Sequence, residues 1–194
     1  MTNRKLHIGG QEMKEGWEIL NVIGAPHVDH VCDAAKLPQF DDGCFAAIYA
    51  SHIVEHFDYR YQLVKVLKEW HRVLMPGGKI YISVPDLDKL AWLFLSKDIT
   101  TAERFIVMRM MFGGQKNEHD YHKSGINEEF LCSYLSDAGF NNIARVNRLG
   151  IFNDASNMIY KGVVISLNMI AKKPPVVTRS SGTLNVIHGS LGID

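Results

Sequence analysis

The chain has 194 residues, 46% hydrophobic and 22% charged, with 21 basic and 21 acidic side chains. That length suits one domain with a full core. The zero formal net charge gives no bulk field toward nucleic acid or an anionic membrane, so neither is expected as a partner. Cys32, Cys44 and Cys132 lie far apart without Cys-x-x-Cys spacing and read as reduced thiols. No apolar run is long enough to span a bilayer, and no signal-peptide segment follows Met1, so a cytoplasmic protein is expected.

In chain order, Lys5-Leu-His-Ile-Gly-Gly10 reads as a strand entering a tight turn. Residues 11–17 are polar with weak helical periodicity. Residues 18–23 look like a second strand, and 27–32 like a third strand or an extended loop. Leu37-Pro38 and Asp41-Asp-Gly43 are turn signals. Residues 45–50 form an apolar strand that ends abruptly in Ser51-His-Ile-Val-Glu-His56. The best helix spans about 59–74: Leu63, Val66, Leu67, Trp70, Val73 and Leu74 share one face. Lys65, Lys68, Glu69 and Arg72 are expected on a solvated face, with His71 exposed. Pro76-Gly77-Gly78 stops this helix, and 79–84 is the next strand.

Residues 86–112 read as one or two helices, with Met108, Met110 and Met111 as core filling. Asn127 caps a helix through Ala138, with Glu128 and Glu129 in its first turn and Gly139 as terminator. Strands follow at 142–149 and 163–171, with a loop at 153–157 between them. The composition changes after Pro175, which divides the chain into a domain at 1–173 and a tail or arm at 174–194. Early alternation of strands and helices, closed by two strands, predicts an α/β fold. Its sheet is mostly parallel, about seven strands, with one antiparallel strand near the C-terminus. Chemistry at the carboxyl end of the 45–50 strand falls where open α/β sheets bind ligands.

Four segments carry a family likeness: Leu6-His-Ile-Gly-Gly10, Val31-Cys-Asp-Ala-Ala-Lys-Leu-Pro38, Ser51-His-Ile-Val-Glu-His56 and Arg72-Val-Leu-Met-Pro-Gly-Gly78. Together they resemble the class I S-adenosylmethionine-dependent methyltransferases, most closely a group of small bacterial ones. The resemblance covers about residues 5–173. It implies a Rossmann-like three-layer sandwich and S-adenosylmethionine as cofactor. On this resemblance Gly9, Gly10, Gln11, Asn21, Asp33, Ala34, Ser51 and His52 bind cofactor, with Asp33 facing the adenine. The chain departs from the pattern at two places. Gln11 replaces a glycine, and Ile23 replaces the acid that binds both ribose hydroxyls. Losing that charge-assisted pair weakens binding by roughly 1–3 kcal/mol, with Asn21 as a substitute donor or acceptor.

Sulfonium methyl transfer is an in-line displacement that mainly needs alignment. An oxygen acceptor also needs a base, for which His52 and then His122 are the candidates, with His119 and Asp120 beside the latter on a lid. The null role for His52 is capping or cofactor positioning. Glu55 and His56 read as a buried pair holding the loop. No metal ligands are assigned. The expected reaction is methyl transfer to a small-molecule or glycan acceptor, at oxygen. Residues 105–112 and the tail suggest a homodimer. One alternative is a non-catalytic module, motivated by Gln11 and Ile23. Another is a zinc hydrolase using His52, Glu55 and His56 as an H-x-x-E-H pair on a helix.

Overall fold

The computed structural model describes residues 3–176. The main sheet begins with β1 (Lys5–Ile8), β2 (Trp17–Asn21), β3 (His30–Val31) and β4 (Phe45–Ser51). A 3-10 turn at Val54–His56 follows, then α1 (Leu63–Val73) and β5 (Leu74–Pro85). Next come α2 (Leu87–Leu95), α3 (Thr101–Phe112), α4 (Glu128–Asp137) and β6 (Asn141–Val146). The chain then makes a 3-10 turn at Ala155–Asn157, a small hairpin of β7 (Ile159–Tyr160) and β8 (Val163–Val164), and β9 (Ser166–Lys172). The seven-stranded order is β3-β2-β1-β4-β5-β9-β6. β3, β2, β1, β4 and β5 pair in parallel, while β9 runs antiparallel to both its neighbours. The sheet therefore has the seven strands and single reversed strand that the pattern implied.

Residues alternate across the sheet with a period of two. Leu6, Ile8, Ile48, Ala50, Ile80, Ile82 and Val84 point into the larger core with the apolar stripe of α1 and with Leu131 and Leu135 of α4. His7, Tyr49 and Tyr81 lie between them in sequence and belong to the other face. There Tyr49 packs with Leu149 and Phe152. Residues 147–158 cover that face at this point.

Several local expectations change. Residues 11–17 form no helix but lead by a turn into β2. α1 starts at Leu63, because Asp58 and Gln62 close a preceding turn, with Asp58 Oδ1 accepting from the Tyr61 N–H at 2.6 Å. The Pro-Gly-Gly segment lies inside β5, which leaves the helix at Leu74 and has a register shift opposite Phe45/Ala47. Glu69 and Arg72 are not merely solvated. Arg72 donates to the Leu37 and Phe40 carbonyls and to Asp42, and Glu69 accepts from the Leu37 N–H at 3.0 Å. They clamp the 37–42 loop onto α1. His71 is half-buried against Phe140, ring centroids 5.0 Å apart. Lys173 Nζ donates to the His71 and Arg72 carbonyls, a cation at a helix C-terminus. Of the proposed tail, residues 177–194 lie outside the described residues.

Candidate active site

β1, β2 and β4 end on the same edge of the sheet, and a cavity of about 470 Å³ opens beyond them. This is the crevice at the carboxyl ends of parallel strands, in the size range of ligand pockets. Its walls include Ile8, Leu20, Ile53 and Phe57. Its polar groups include Gln11, Asn21, Asp33 and His56, and residues 117–121 with Lys123 form one side.

Gly9 is fixed by geometry. Its φ is +73°, and a Cβ there would overlap the Ile53 side chain, so the chain needs glycine to turn at the cavity floor. Its N–H donates to the Leu20 carbonyl at 2.7 Å. Asn21 closes β2, donating from Nδ2 to the Gly10 carbonyl at 3.4 Å and accepting at Oδ1 from the Ile23 N–H at 3.0 Å. Ile23, two residues on, also lines the cavity and is exposed. Asp33 lines the cavity, and its Oδ1 accepts from the Ala35 N–H at 2.8 Å. Among the expected cofactor residues, Gly9, Gln11, Asn21, Asp33 and Ala34 line the cavity. Gly10, Ser51 and His52 stand behind it.

The Ser51–His56 segment leaves β4 through a sharp turn. His52 takes a positive φ of +55°, and its N–H is held by the Ser83 carbonyl at 2.8 Å. Because the turn at Val54–His56 is 3-10 and His52 is left-handed, His52 and His56 do not line up on a helix face. The geometry assumed for a zinc-hydrolase pair is missing. Instead Glu55 points inward, 1% exposed. His52 Nδ1 lies 3.7 Å and His122 Nε2 3.9 Å from Glu55 Oε1. The His56 and His122 rings meet edge to face at 5.0 Å.

The lid expected near His119–Asp120 is pinned to this turn. The Lys123 and Ser124 N–H groups both donate to the Glu55 carbonyl, at 2.8 and 3.1 Å. Ser124 Oγ donates to the Phe57 carbonyl at 2.6 Å, and His56 Nδ1 bonds the Tyr121 carbonyl at 3.0 Å. The sequence reading passed over Glu55 and His56 as a loop-holding pair. They do tie the lid to the turn, but His56 also lines the cavity and the Glu55 carboxyl faces His52 and His122. The signal was the spacing of three histidines and one acid around one strand end and one lid.

Burial sets the electrostatics. It pushes the Glu55 carboxyl up to about 8. It pulls His52 down to about 4, with the nearby His122 adding to the effect. Burial also lowers His56, and lowers His122 with help from His56. The imidazoles are therefore neutral near pH 7, and weaker bases than a free histidine.

Residues 17–82 match the methyltransferase-domain family. The fold is similar to a SAM-dependent methyltransferase from Archaeoglobus fulgidus, with a TM-score of 0.55 and 16% identity over 89% of this chain and 86% of that one. The family match covers about a third of the chain, from β2 into β5, and the likeness to the solved structures is one of fold. S-adenosylmethionine fits the cavity, with its glycine turn at Gly9, the Asn21 amide and the Asp33 carboxylate. A similar fold is seen in the Haemonchus contortus phosphoethanolamine N-methyltransferase 2, solved with phosphomonomethylethanolamine and S-adenosylhomocysteine (TM-score 0.51, 17% identity, 89% of this chain and 49% of that one).

Among curated proteins, the chain is 29% identical over 111 residues to the human "Probable tRNA methyltransferase 9B", covering 55% of this chain and 24% of that protein. The chain spans a quarter or less of the length of the curated relatives it matches. Their name overturns the exclusion of nucleic acid drawn from net charge. A zero sum over a whole chain does not exclude local binding. Among the described residues, no helix is long and apolar enough to cross a membrane.

Proposed function

We propose that this chain binds S-adenosylmethionine in the cavity at the ends of β1, β2 and β4 and transfers its methyl group to an acceptor oxygen. The observation that carries the reading is the wall shared by that cavity and the histidine cluster: His56 lines the cavity and touches His122, which faces Glu55. The bound cofactor supplies an activated methyl carbon on a sulfonium. Gly9, Asn21 and Asp33 hold and orient it. Residues 117–123 exclude water from one side. His52, His56 and His122 are the groups that would take the acceptor's proton; burial keeps them neutral, at the expense of basicity. Small-molecule and glycan hydroxyls are the acceptor class this cavity suits. The relatives' name favours a second reading, tRNA.

Titration calorimetry of ligand-free, folded protein tests the cofactor site, with micromolar binding of S-adenosylmethionine and S-adenosylhomocysteine expected. Absence of binding would leave a non-catalytic module. Radiolabelled methyl transfer to total tRNA and to a glycan and small-molecule panel then separates the acceptor readings. Unchanged activity in both His52→Ala and His122→Ala would remove the base role.

A further inference from the structure

We propose that Glu55, His56 and His122 bind a divalent transition-metal cation at the wall of the cavity, with His52 facing the same carboxylate. One ligand atom from each of Glu55, His56 and His122 lies within 4.8 Å of the others. Neither Glu55 oxygen is bonded to another residue, although both are buried. A buried carboxyl with no hydrogen-bond partner carries a desolvation cost, which a cation would offset by taking the place of its proton.

The hydrogen bonds around the cluster fix where the histidine protons sit. Ser166 Oγ donates its one proton to the Ala155 carbonyl at 2.7 Å. It can therefore only accept from His52 Nε2, 3.0 Å away. His52 then carries its proton on Nε2 and presents the Nδ1 lone pair to Glu55 at 3.7 Å. His56 Nδ1 donates to the Tyr121 carbonyl, which leaves Nε2 as its free lone pair. An imidazole tied through its other nitrogen to a backbone carbonyl is the usual support of a metal-binding histidine. The free nitrogens of His52 and His56 are thus unprotonated, and a cation bound at Glu55 would displace the proton of its carboxyl.

Metal–nitrogen and metal–oxygen bonds near 2.0–2.2 Å place neighbouring ligand atoms ~3–4 Å apart. The 3.9 Å separation of His122 Nε2 from Glu55 Oε1 already falls in that range. Imidazole nitrogens with one carboxylate select Zn²⁺, Co²⁺ or Ni²⁺ over Mg²⁺ or Ca²⁺. The ligands come from the turn after β4 and from the lid, so the cation would also fasten one to the other. This site differs from the H-x-x-E-H arrangement, since His122 and not a distant acid completes it. Because His56 lines the cavity, a vacant position on the cation would take an acceptor hydroxyl and lower its pKa. That role rests on the methyl-transfer reading; the binding itself does not.

The test uses the full chain, stripped with EDTA and titrated with Zn²⁺ by calorimetry. One equivalent is expected, weakened roughly 100-fold or more in Glu55→Gln and His122→Ala and unchanged in His27→Ala, which lies on the β2–β3 loop. Circular dichroism and thermal unfolding of the same variants report whether they are folded, and S-adenosylhomocysteine binding is measured separately. Cobalt loading of the wild-type chain needs no variant and is expected to give visible absorption bands of a four-coordinate site. Binding that ignores Glu55→Gln and His122→Ala in folded protein, or a cobalt spectrum like that of the free ion, would overturn the site. A chain that binds Zn²⁺ but no S-adenosylhomocysteine keeps the metal site and loses the methyl-transfer reading.

Discussion

His7 shows how one side chain can set the acid limit of this fold. Its ring is 4% exposed, lying 3.9 Å from Phe152 and 5.0 Å from Tyr49 between centroids. Burial holds its pKa down to about 4, against the opposing pull of Asp154 and Glu12. An unfolded histidine takes up its proton near pH 6.5, so the folded state binds fewer protons below that pH. Stability is full above pH 6.5 and is lost as pH falls toward about 4, by on the order of 3 kcal/mol. His7→Phe keeps an aromatic ring and removes the titration. Its urea midpoint should fall less between pH 7 and 4.5 than that of the wild type, and equal falls would acquit His7. At Ile23 the change runs the other way. Ile23→Asp restores an acid at the cavity and should tighten S-adenosylhomocysteine binding by roughly tenfold or more, the equivalent of a charge-assisted pair. Calorimetry on both proteins decides it. The turn at Gly9 was legible in the sequence as a strand running into Gly-Gly, whereas Asn21 entered only through the family resemblance; both line the cavity. The role of Glu55 was not legible, because its burial depends on the left-handed turn at His52, which no periodicity announces.

At the scale of elements, α3 and the segment after it are held by two local devices. Thr100 and Glu103 form a reciprocal cap at the start of α3. Thr100→Ala should cost about 1 kcal/mol, read from denaturant unfolding. At the other end Gly113 has a φ of +84°, and a Cβ there would overlap the Asp120 carbonyl. Gly113→Ala should displace residues 113–123, cost about 1–3 kcal/mol, and weaken S-adenosylhomocysteine binding. Faster amide exchange confined to that segment would show it. The amphipathic helices were readable from their apolar spacing, α1 and α4 most directly, since Leu63 to Val73 and the Asn127 cap need no tertiary information. The 3-10 turn and the small hairpin were not. They are short, and tertiary hydrogen bonds such as Tyr49 Oη to Asp154 at 2.8 Å hold the segment that carries them.

For the whole molecule, the cavity draws on β1, β2, β4 and the lid, so ligand binding stabilises the unit that contains them all. At a hundredfold excess over its Kd, S-adenosylhomocysteine should add about 2.7 kcal/mol and raise the Tm by about 5–10 °C. A thermal scan with and without ligand checks this, and no shift at saturation would separate the cavity from global unfolding. The topology also bears on biogenesis. β9 is the last strand described, yet it sits between β5 and β6 and bonds both. During synthesis, β5 and β6 must wait with unpaired edges until residues 166–172 have left the ribosome. Exposed edges of that kind template aggregation. A chain interrupted before Ser166 would lose the strand that joins its sheet, and such a nascent fragment is a natural client for chaperones that shield strand edges.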